Sequence, residues 1–112
     1  MEVSGEVVLP DGSLELPSSA VVRVRIEDVT RADADARLVA SVELRAAPGG
    51  ERIPFLFDVP QVDPTADYSV RVHVDLDGRG EVDVGDLVSV QSYPVLTRGH
   101  GNRASVEVRR VN

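Results

Sequence analysis

The 112-residue chain contains no cysteine, no lysine and no tryptophan. Without cysteine it can form neither a disulfide-stapled scaffold nor a site that depends on a thiolate. All 12 basic residues are arginine, and the 19 Asp and Glu residues leave a net charge of −7. Because affinity for a phosphate backbone needs a basic surface, this balance excludes a general nucleic-acid-binding protein.

Long apolar runs are missing as well. No segment reaches the roughly 18 apolar residues that a membrane-spanning helix needs. The opening Met1-Glu2-Val3-Ser4-Gly5 has neither the basic region nor the apolar region of a secretory signal. We therefore expect no membrane insertion and a cytoplasmic location. The alternative is an extracytoplasmic domain whose leader has been removed.

Valine is the most prominent apolar residue, since it occurs 22 times while aromatic residues make up only 4% of the chain. Its branched side chain suits a pleated strand better than a helix. The length corresponds to one domain with one hydrophobic core. We therefore predict a single β-domain over residues 1–112, with a core built mainly from branched aliphatic side chains.

Alternation of apolar and polar residues locates the strands. It is most regular over residues 68–76 and recurs over residues 22–26 and 105–109. Turn signals at residues 10–13 and 48–50 separate such runs. The pattern predicts an all-β fold, a β-sandwich of seven to eight mostly antiparallel strands. The predicted core is Val22, Val24, Ile26, Val42, Leu44, Phe55, Phe57, Tyr68, Val70, Val72, Val74, Val88, Val90, Val106 and Val108.

Two segments fit the strand pattern less well. Residues 30–37 are rich in alanine and could form a helical turn with Thr30 as its N-cap, or a loop. Residues 3–9 suggest an opening strand in which Gly5 marks a bulge or a bend.

The densest group of acidic side chains follows the most regular strand. Aligned with a twelve-residue calcium-binding loop, Asp75, Asp77, Asp83 and Asp86 occupy positions 1, 3, 9 and 12, and Gly80 occupies the glycine position. Carboxylate oxygens at these spacings are the ligands that Ca²⁺ prefers. The sequence therefore gives a candidate calcium site at these four aspartates.

The same segment can also be interpreted without a metal. Arg79 stands at position 5, where a ligand should be, and the predicted flanking elements are strands rather than helices. The alternative is a solvated hairpin whose aspartates and glycines serve the turn. Arg79 would then either face solvent or neutralise the loop from within.

Residues 53–57 form a short apolar run in which Pro54 favours an edge strand. Phe55 and Phe57 share one face, and Leu56 takes the other, so both faces are apolar. Such a strand is either buried on both sides or exposed at an edge that accepts a partner strand or peptide. Phe55, Leu56 and Phe57 are therefore candidate partner-binding residues.

Signals for catalysis are weak. His73 lies on the polar face of its strand and is expected at the surface, while His100 lies between two glycines in a turn. The chain has no Gly-x-Ser-x-Gly motif and no glycine-rich phosphate loop. We expect no enzymatic activity and no cofactor other than Ca²⁺.

Five segments in order resemble the YbaY/YscW family, which includes the type III secretion lipoprotein chaperones, or pilotins. Residues 19–34 resemble its opening strand and Asp/Ala-rich turn, and residues 53–57 its "I-P-F-x-F" strand. Residues 62–64 and 68–72 are similar to its "I-D-P" and "Y-x-v-x-a" segments. Residues 93–99, Tyr-Pro-Val-Leu-Thr-Arg-Gly, resemble "y-P-V-l-T-r-G".

This resemblance covers nearly the whole chain and implies a transthyretin-like β-sandwich that binds rather than catalyses. The best-known members help a secretin reach the outer membrane, and the family offers no catalytic residues to assign. The leading hypothesis is a non-catalytic, chaperone-like module that captures a protein or peptide segment. The alternative hypothesis is a Ca²⁺-binding β-domain that uses the acidic segment.

Overall fold

The computed structural model of the chain describes residues 1–10, 16–17, 19–31, 34–45 and 52–112. In these residues it contains eight strands. They are β1 (Glu2–Val8), β2 (Val21–Asp28), β3 (Arg37–Arg45), β4 (Arg52–Asp58), β5 (Tyr68–Asp75), β6 (Leu87–Ser89), β7 (Pro94–Val95) and β8 (Arg103–Arg110). The described residues include no helix that is long and apolar enough to cross a membrane.

The strands form one continuous sheet in the order β3-β2-β5-β6-β8-β1-β4, with β7 beside β5. β8 connects the two halves, because its first part pairs with β1 and its last part with β6. The pair β1–β8 is parallel, and the other pairs are antiparallel. Since β3 and β4 also approach each other, the sheet is nearly closed. The predicted all-β fold with seven to eight mostly antiparallel strands is confirmed.

The centre of the core lies between β2 and β5, where each inward side chain of one strand faces a valine of the other. The pairs are Val22–Val74, Val24–Val72 and Ile26–Val70. All six are buried. Branched side chains directly opposite one another pack well on a pleated surface. The alternation in the sequence therefore identified the inward face of both strands correctly.

Gly5 has a packing role rather than the predicted role of a bulge. The register of β1 runs unbroken past Gly5 toward both β4 and β8. A Cβ at Gly5 would lie 1.8 Å from the carbonyl oxygen of Ala104 and 2.8 Å from Cζ of Phe55. Glycine is therefore needed here because the backbone of β8 and an aromatic ring approach β1 closely.

The core prediction for β6 was wrong. Leu87 is the buried residue of this strand, while Val88 is half-buried and Val90 is 61% exposed. The strand ends at Ser89, whose hydroxyl accepts a hydrogen bond from the Val72 amide at 3.0 Å. A side chain thus replaces a ladder partner there, and Val90 lies outside the sheet.

Other predicted core residues are less deeply placed than expected. Val42, Leu44 and Phe57 are half-buried and pack against the core rather than within it. All three lie on the two strands that end the sheet order, so each has neighbours on one side only. Their exposure follows from the gap between β3 and β4.

The alanine-rich segment shows no helix in its described residues, and residues 32–33 lie outside them. Thr30 does not cap a helix; its amide donates to Asp28 Oδ1 at 3.0 Å. The predicted turns at residues 10–13 and 48–50 fall largely or wholly outside the described residues.

Candidate functional site

The segment that joins β5 to β6, residues 76–86, is here called the acidic loop. Asp75 precedes it, and its side chain is completely buried. Asp75 Oδ1 accepts a hydrogen bond from the Gly78 amide at 3.1 Å, and Oδ2 accepts one from the Gly80 amide at 2.7 Å. Arg23 Nη2 donates to the same Oδ2 at 3.2 Å. The carboxylate therefore ties the start of the loop to β2.

Asp86 has the same role at the other end of the acidic loop. Its Oδ1 accepts from the Leu76 amide at 3.1 Å, and its Oδ2 accepts from the Asp83 amide at 3.0 Å. His73 Nε2 lies 2.8 Å from Oδ2. Asp86 is 2% exposed. The loop's own backbone donors thus satisfy the two buried carboxylates, which is how a buried polar side chain avoids unpaired oxygens.

Two of the four predicted metal ligands come together. Ligand atoms of His73, Asp75 and Asp86 all lie within 4.8 Å of one another. The side chains of Asp77 and Asp83 are exposed and fall outside this cluster. A cation at the cluster would have to compete with the amides, the guanidinium and the imidazole that already contact the two buried carboxylates.

Sequence reasoning missed two residues of this cluster. Arg23 is the internal cation, and it lies 52 residues before Asp75 in the chain. Arg79, the other candidate, is exposed and faces solvent, 3.4 Å from Asp77 Oδ2. His73 was expected at the surface, yet its side chain is only 14% exposed because the acidic loop covers it. Residues 73 and 75 are two positions apart on one strand and therefore share a face. This was the one feature of the sequence that could have placed His73 beside Asp75.

The electrostatics keep both carboxylates ionised. Burial by itself raises the pKa of Asp75, but the hydrogen bond from the Gly80 amide and the contact with Arg23 outweigh it and lower the pKa to about 2. Burial likewise opposes ionisation of Asp86, but the contact with His73 and two amides lower its pKa. Neither group can act as a proton donor near neutral pH.

The predicted partner-binding residues divide between the two faces of β4. Phe55 is 4% exposed and Phe57 half-buried, with ring centroids 6.1 Å apart at an angle of 50°. Leu56 points to the other face and is 61% exposed. The two rings therefore belong to the core, and of these three residues only Leu56 presents an exposed apolar side chain to solvent.

The backbone of Leu56 also faces outward, toward the open side of β4. Met1 and Val59 exchange both N–H···O bonds, at 3.0 and 2.7 Å, so they are a hydrogen-bonded pair. Such pairs alternate in an antiparallel ladder. The pairs Ser4–Leu56 and Glu6–Pro54 are then non-hydrogen-bonded, and Leu56 directs its N–H and C=O away from β1. The same alternation suits Pro54, because a residue of a non-hydrogen-bonded pair donates no N–H to the neighbouring strand and proline has none.

At one end of the sheet, the predicted family motif at residues 93–99 contacts residues 65–67, which connect the motifs at residues 62–64 and 68–72. Thr97 Oγ1 donates to the Ala66 carbonyl. Arg98 contacts Asp67 Oδ1 at 3.0 Å and donates to the Thr65 carbonyl at 2.6 Å. These contacts hold the segment after β7 against the segment before β5. The conformation is unusual for side chains of this size, because Leu96 and Arg98 both have positive φ.

Comparison with known proteins agrees with this architecture. The family model described as type III secretion system lipoprotein chaperone (YscW) matches residues 1–108. A solved structure, an alternative pilotin from the type II secretion system of Vibrio cholerae, superposes with a TM-score of 0.78 at 22% identity. The match covers 100% of this chain and 97% of that one, and it shows a shared fold. No curated protein matches significantly. The family predicted from the motifs is confirmed, and the chain belongs to the YscW family of type III secretion system lipoprotein chaperones.

Proposed function

We propose that this protein is a non-catalytic, chaperone-like module that captures an extended segment of a protein partner along the open edge of β4. The observation that carries the proposal is the placement of Leu56. It presents a 61% exposed apolar side chain, and its backbone N–H and C=O face away from β1. Main-chain groups supply affinity and neighbouring side chains supply selectivity when a strand is added to an edge.

The gap between β3 and β4 makes this edge suitable. In the described residues β4 pairs only with β1, and β3 only with β2. A strand added to β4 would place one row of its side chains beside Leu56 on the outer face. The other row would lie beside the half-buried Phe57 at the gap.

Membership of the family supports a partner from a secretion apparatus. The matching family is named for chaperones of type III secretion, and the structural neighbour is a pilotin of type II secretion. We propose a secretin as the partner, bound through an extended segment.

Site-specific photocrosslinking in the native host tests this proposal. A photoreactive benzoylphenylalanine at position 56 should give one discrete protein adduct, whose cross-linked peptide is identified by mass spectrometry. The same probe at Val90 is the matched control, because Val90 is 61% exposed, as Leu56 is, and lies after the end of β6, away from the gap.

The cross-linked segment, made as a synthetic peptide, should then bind the purified protein. Leu56→Asp should weaken binding by about tenfold or more, because it places a charge in the added apolar contact. Val90→Asp should leave binding unchanged. The proposal fails if position 56 gives no adduct, or if positions 90 and 56 give the same adducts.

We retain a Ca²⁺-stabilised domain as the second candidate function, because Asp75 and Asp86 converge with His73. Ligand binding to the native state raises the melting temperature. Millimolar Ca²⁺ should therefore raise it. Asp86→Asn should remove the gain, whereas Asp83→Asn, which changes an exposed side chain outside the cluster, should preserve it. An unchanged melting temperature with Ca²⁺ would exclude this candidate.

A further inference from the structure

A basic pocket lies on the outer face of β2 and β5, away from β4 in the strand order. Residues of the two strands stand directly opposite each other there: Arg23 faces His73, and Arg25 faces Arg71. The acidic loop closes one side of the pocket through Gly80 and Val82, and β6 closes another side. The cavity, which is partly open to solvent, measures about 180 Å³.

Two like charges directly opposite across a sheet destabilise it unless a counter-charge intervenes. Glu27 supplies that charge, contacting Arg25 Nη2 at 2.9 Å and Arg71 Nε at 3.0 Å. One carboxylate therefore serves two guanidiniums, and each guanidinium uses one of its three nitrogens in the contact. Arg25 and Arg71 are 45% and 61% exposed, and the trio keeps an excess positive charge.

Arg23 contributes an unused donor. Its Nη1 contacts Glu43 at 2.6 Å and its Nη2 contacts Asp75. Its Nε is buried and has no partner among the described residues. A buried donor without an acceptor is costly, and it indicates a site that an anionic oxygen or a water completes.

The lining differs in charge from the rest of the molecule. The described residues that line the pocket include three arginines and no carboxylate, in a chain of net charge −7. The acids paired with these arginines, Glu27, Glu43 and Asp75, lie outside the lining. Because these three acids balance the three arginines, the pocket offers an anion the guanidinium N–H groups that the ion pairs leave unused, rather than a net positive charge.

Size and surroundings define the ligand class. The cavity is smaller than the roughly 300–1,000 Å³ of pockets that hold drug-sized ligands and cofactors. The guanidinium fork matches a carboxylate in two parallel hydrogen bonds. Val82, 56% exposed at the rim, offers contact to an apolar neighbour of that carboxylate. The exposed Glu81 and Asp83 beside it repel a polyanion.

We propose that this pocket binds a single carboxylate side chain of a partner peptide, with an apolar residue next to it packed on Val82. Arg25 and Arg71 hold the carboxylate, and Arg23 lines the cavity beside them. The site is separate from the β4 edge and does not depend on capture there.

Titration with short peptides, followed by NMR of the arginine side chains, tests the site. The probe is acetyl-Ala-Glu-Val-Ala-amide, and its control has Gln in place of Glu. The Glu peptide should shift the Nε–Hε signals of Arg25 and Arg71. It should bind about tenfold more tightly than the Gln peptide, as expected for a charge-assisted pair.

Arginine variants distinguish binding in the pocket from a general effect of the protein's net charge. Arg71→Gln and Arg25→Gln should each abolish the difference between the two peptides. Arg103→Gln removes the same charge from an exposed residue outside the lining and should preserve it. Leu56→Asp should also preserve it, so failure of the β4 proposal and failure of this one are distinguishable.

The proposal is overturned if the two peptides bind equally or neither binds. It is also overturned if inorganic phosphate shifts the same signals while the Glu peptide does not, because the pocket would then be a site for small anions.

Discussion

The acidic loop closes on itself, whereas β4 keeps one edge open. In the loop, the buried carboxylates of Asp75 and Asp86 accept hydrogen bonds from the chain's own amides. In β4, both phenylalanines turn toward the core and Leu56 turns outward. The carboxylates of the loop and the aromatic rings of β4 thus stabilise the fold. What is left for a partner is an aliphatic side chain and backbone groups.

Replacing Asp75 with alanine should have the largest effect on stability. Arg23 would keep a partly buried charge without its inner partner, and the amides of Gly78 and Gly80 would lose their acceptor. Breaking such a pair costs about 3–5 kcal/mol of the free energy of unfolding. Urea denaturation measures it. Glu81→Ala, which removes an exposed acid of the same loop, should stay within about 0.5 kcal/mol. Equal losses in both variants would show that the loop is not organised by Asp75.

Within β4, substitutions on the inner and outer faces should likewise differ in their effect on the free energy of unfolding. Phe55→Ala removes a ring that contacts the core and should cost roughly 3–5 kcal/mol. Leu56→Ala removes an exposed side chain and should change the free energy of unfolding by less than about 0.5 kcal/mol. The same urea experiment compares them. A large loss of stability in Leu56→Ala would mean that this face is covered, and the β4 proposal would lose its basis.

Lowering the pH should reduce the stability that the buried aspartates at the ends of the acidic loop contribute. The folded pKa of Asp75, about 2, lies below its ordinary value of 3.8, so its contribution is present above about pH 4 and is lost as the pH falls toward 2. The lowered pKa of Asp86 acts in the same direction. Asp28 and Asp63 also have lowered pKa values, because Thr30 and Thr65 donate hydrogen bonds to them.

Because several aspartates have lowered pKa values, the pH effect of Asp75 is obtained by comparing the protein with a variant that lacks this carboxylate. The free energy of unfolding of the protein minus that of Asp75→Asn should shrink between about pH 4 and pH 2 and stay constant from about pH 5 to pH 7. Denaturant titrations at each pH give this difference. A difference that does not change with pH would contradict the depressed pKa.

Much of the fold follows from local pattern. A strand places successive side chains on opposite faces, so the alternation over residues 68–76 identified the buried face of β5 directly. The same reasoning failed at Val88 and Val90, because β6 is only three residues long and its phase depends on its pairing with β5 and β8. Short strands take their orientation from neighbours rather than from their own pattern.

The candidate sites were predictable only in part. The spacing of aspartates indicated an ordered loop, and Pro54 indicated an edge strand. Neither spacing nor composition could show that Arg23, on another strand, faces Asp75, or that Glu27 lies between two arginines. The Glu27–Arg71 and Arg23–Asp75 contacts join residues 44 and 52 positions apart in the chain, and the register of β2 on β5 creates them.

The sequence by itself determined the all-β class, the inward faces of the long strands and the family, because period-two alternation and ordered motifs are properties of the chain. The tertiary structure decided which charges are used internally and which remain for a partner. It did so because burial and hydrogen-bond partners depend on strands that are distant in sequence and adjacent in the sheet. Because cysteine and lysine are absent and aromatic residues are few, arginine, aspartate and glutamate make these internal contacts, and Leu56 is one of two exposed leucines among the described residues.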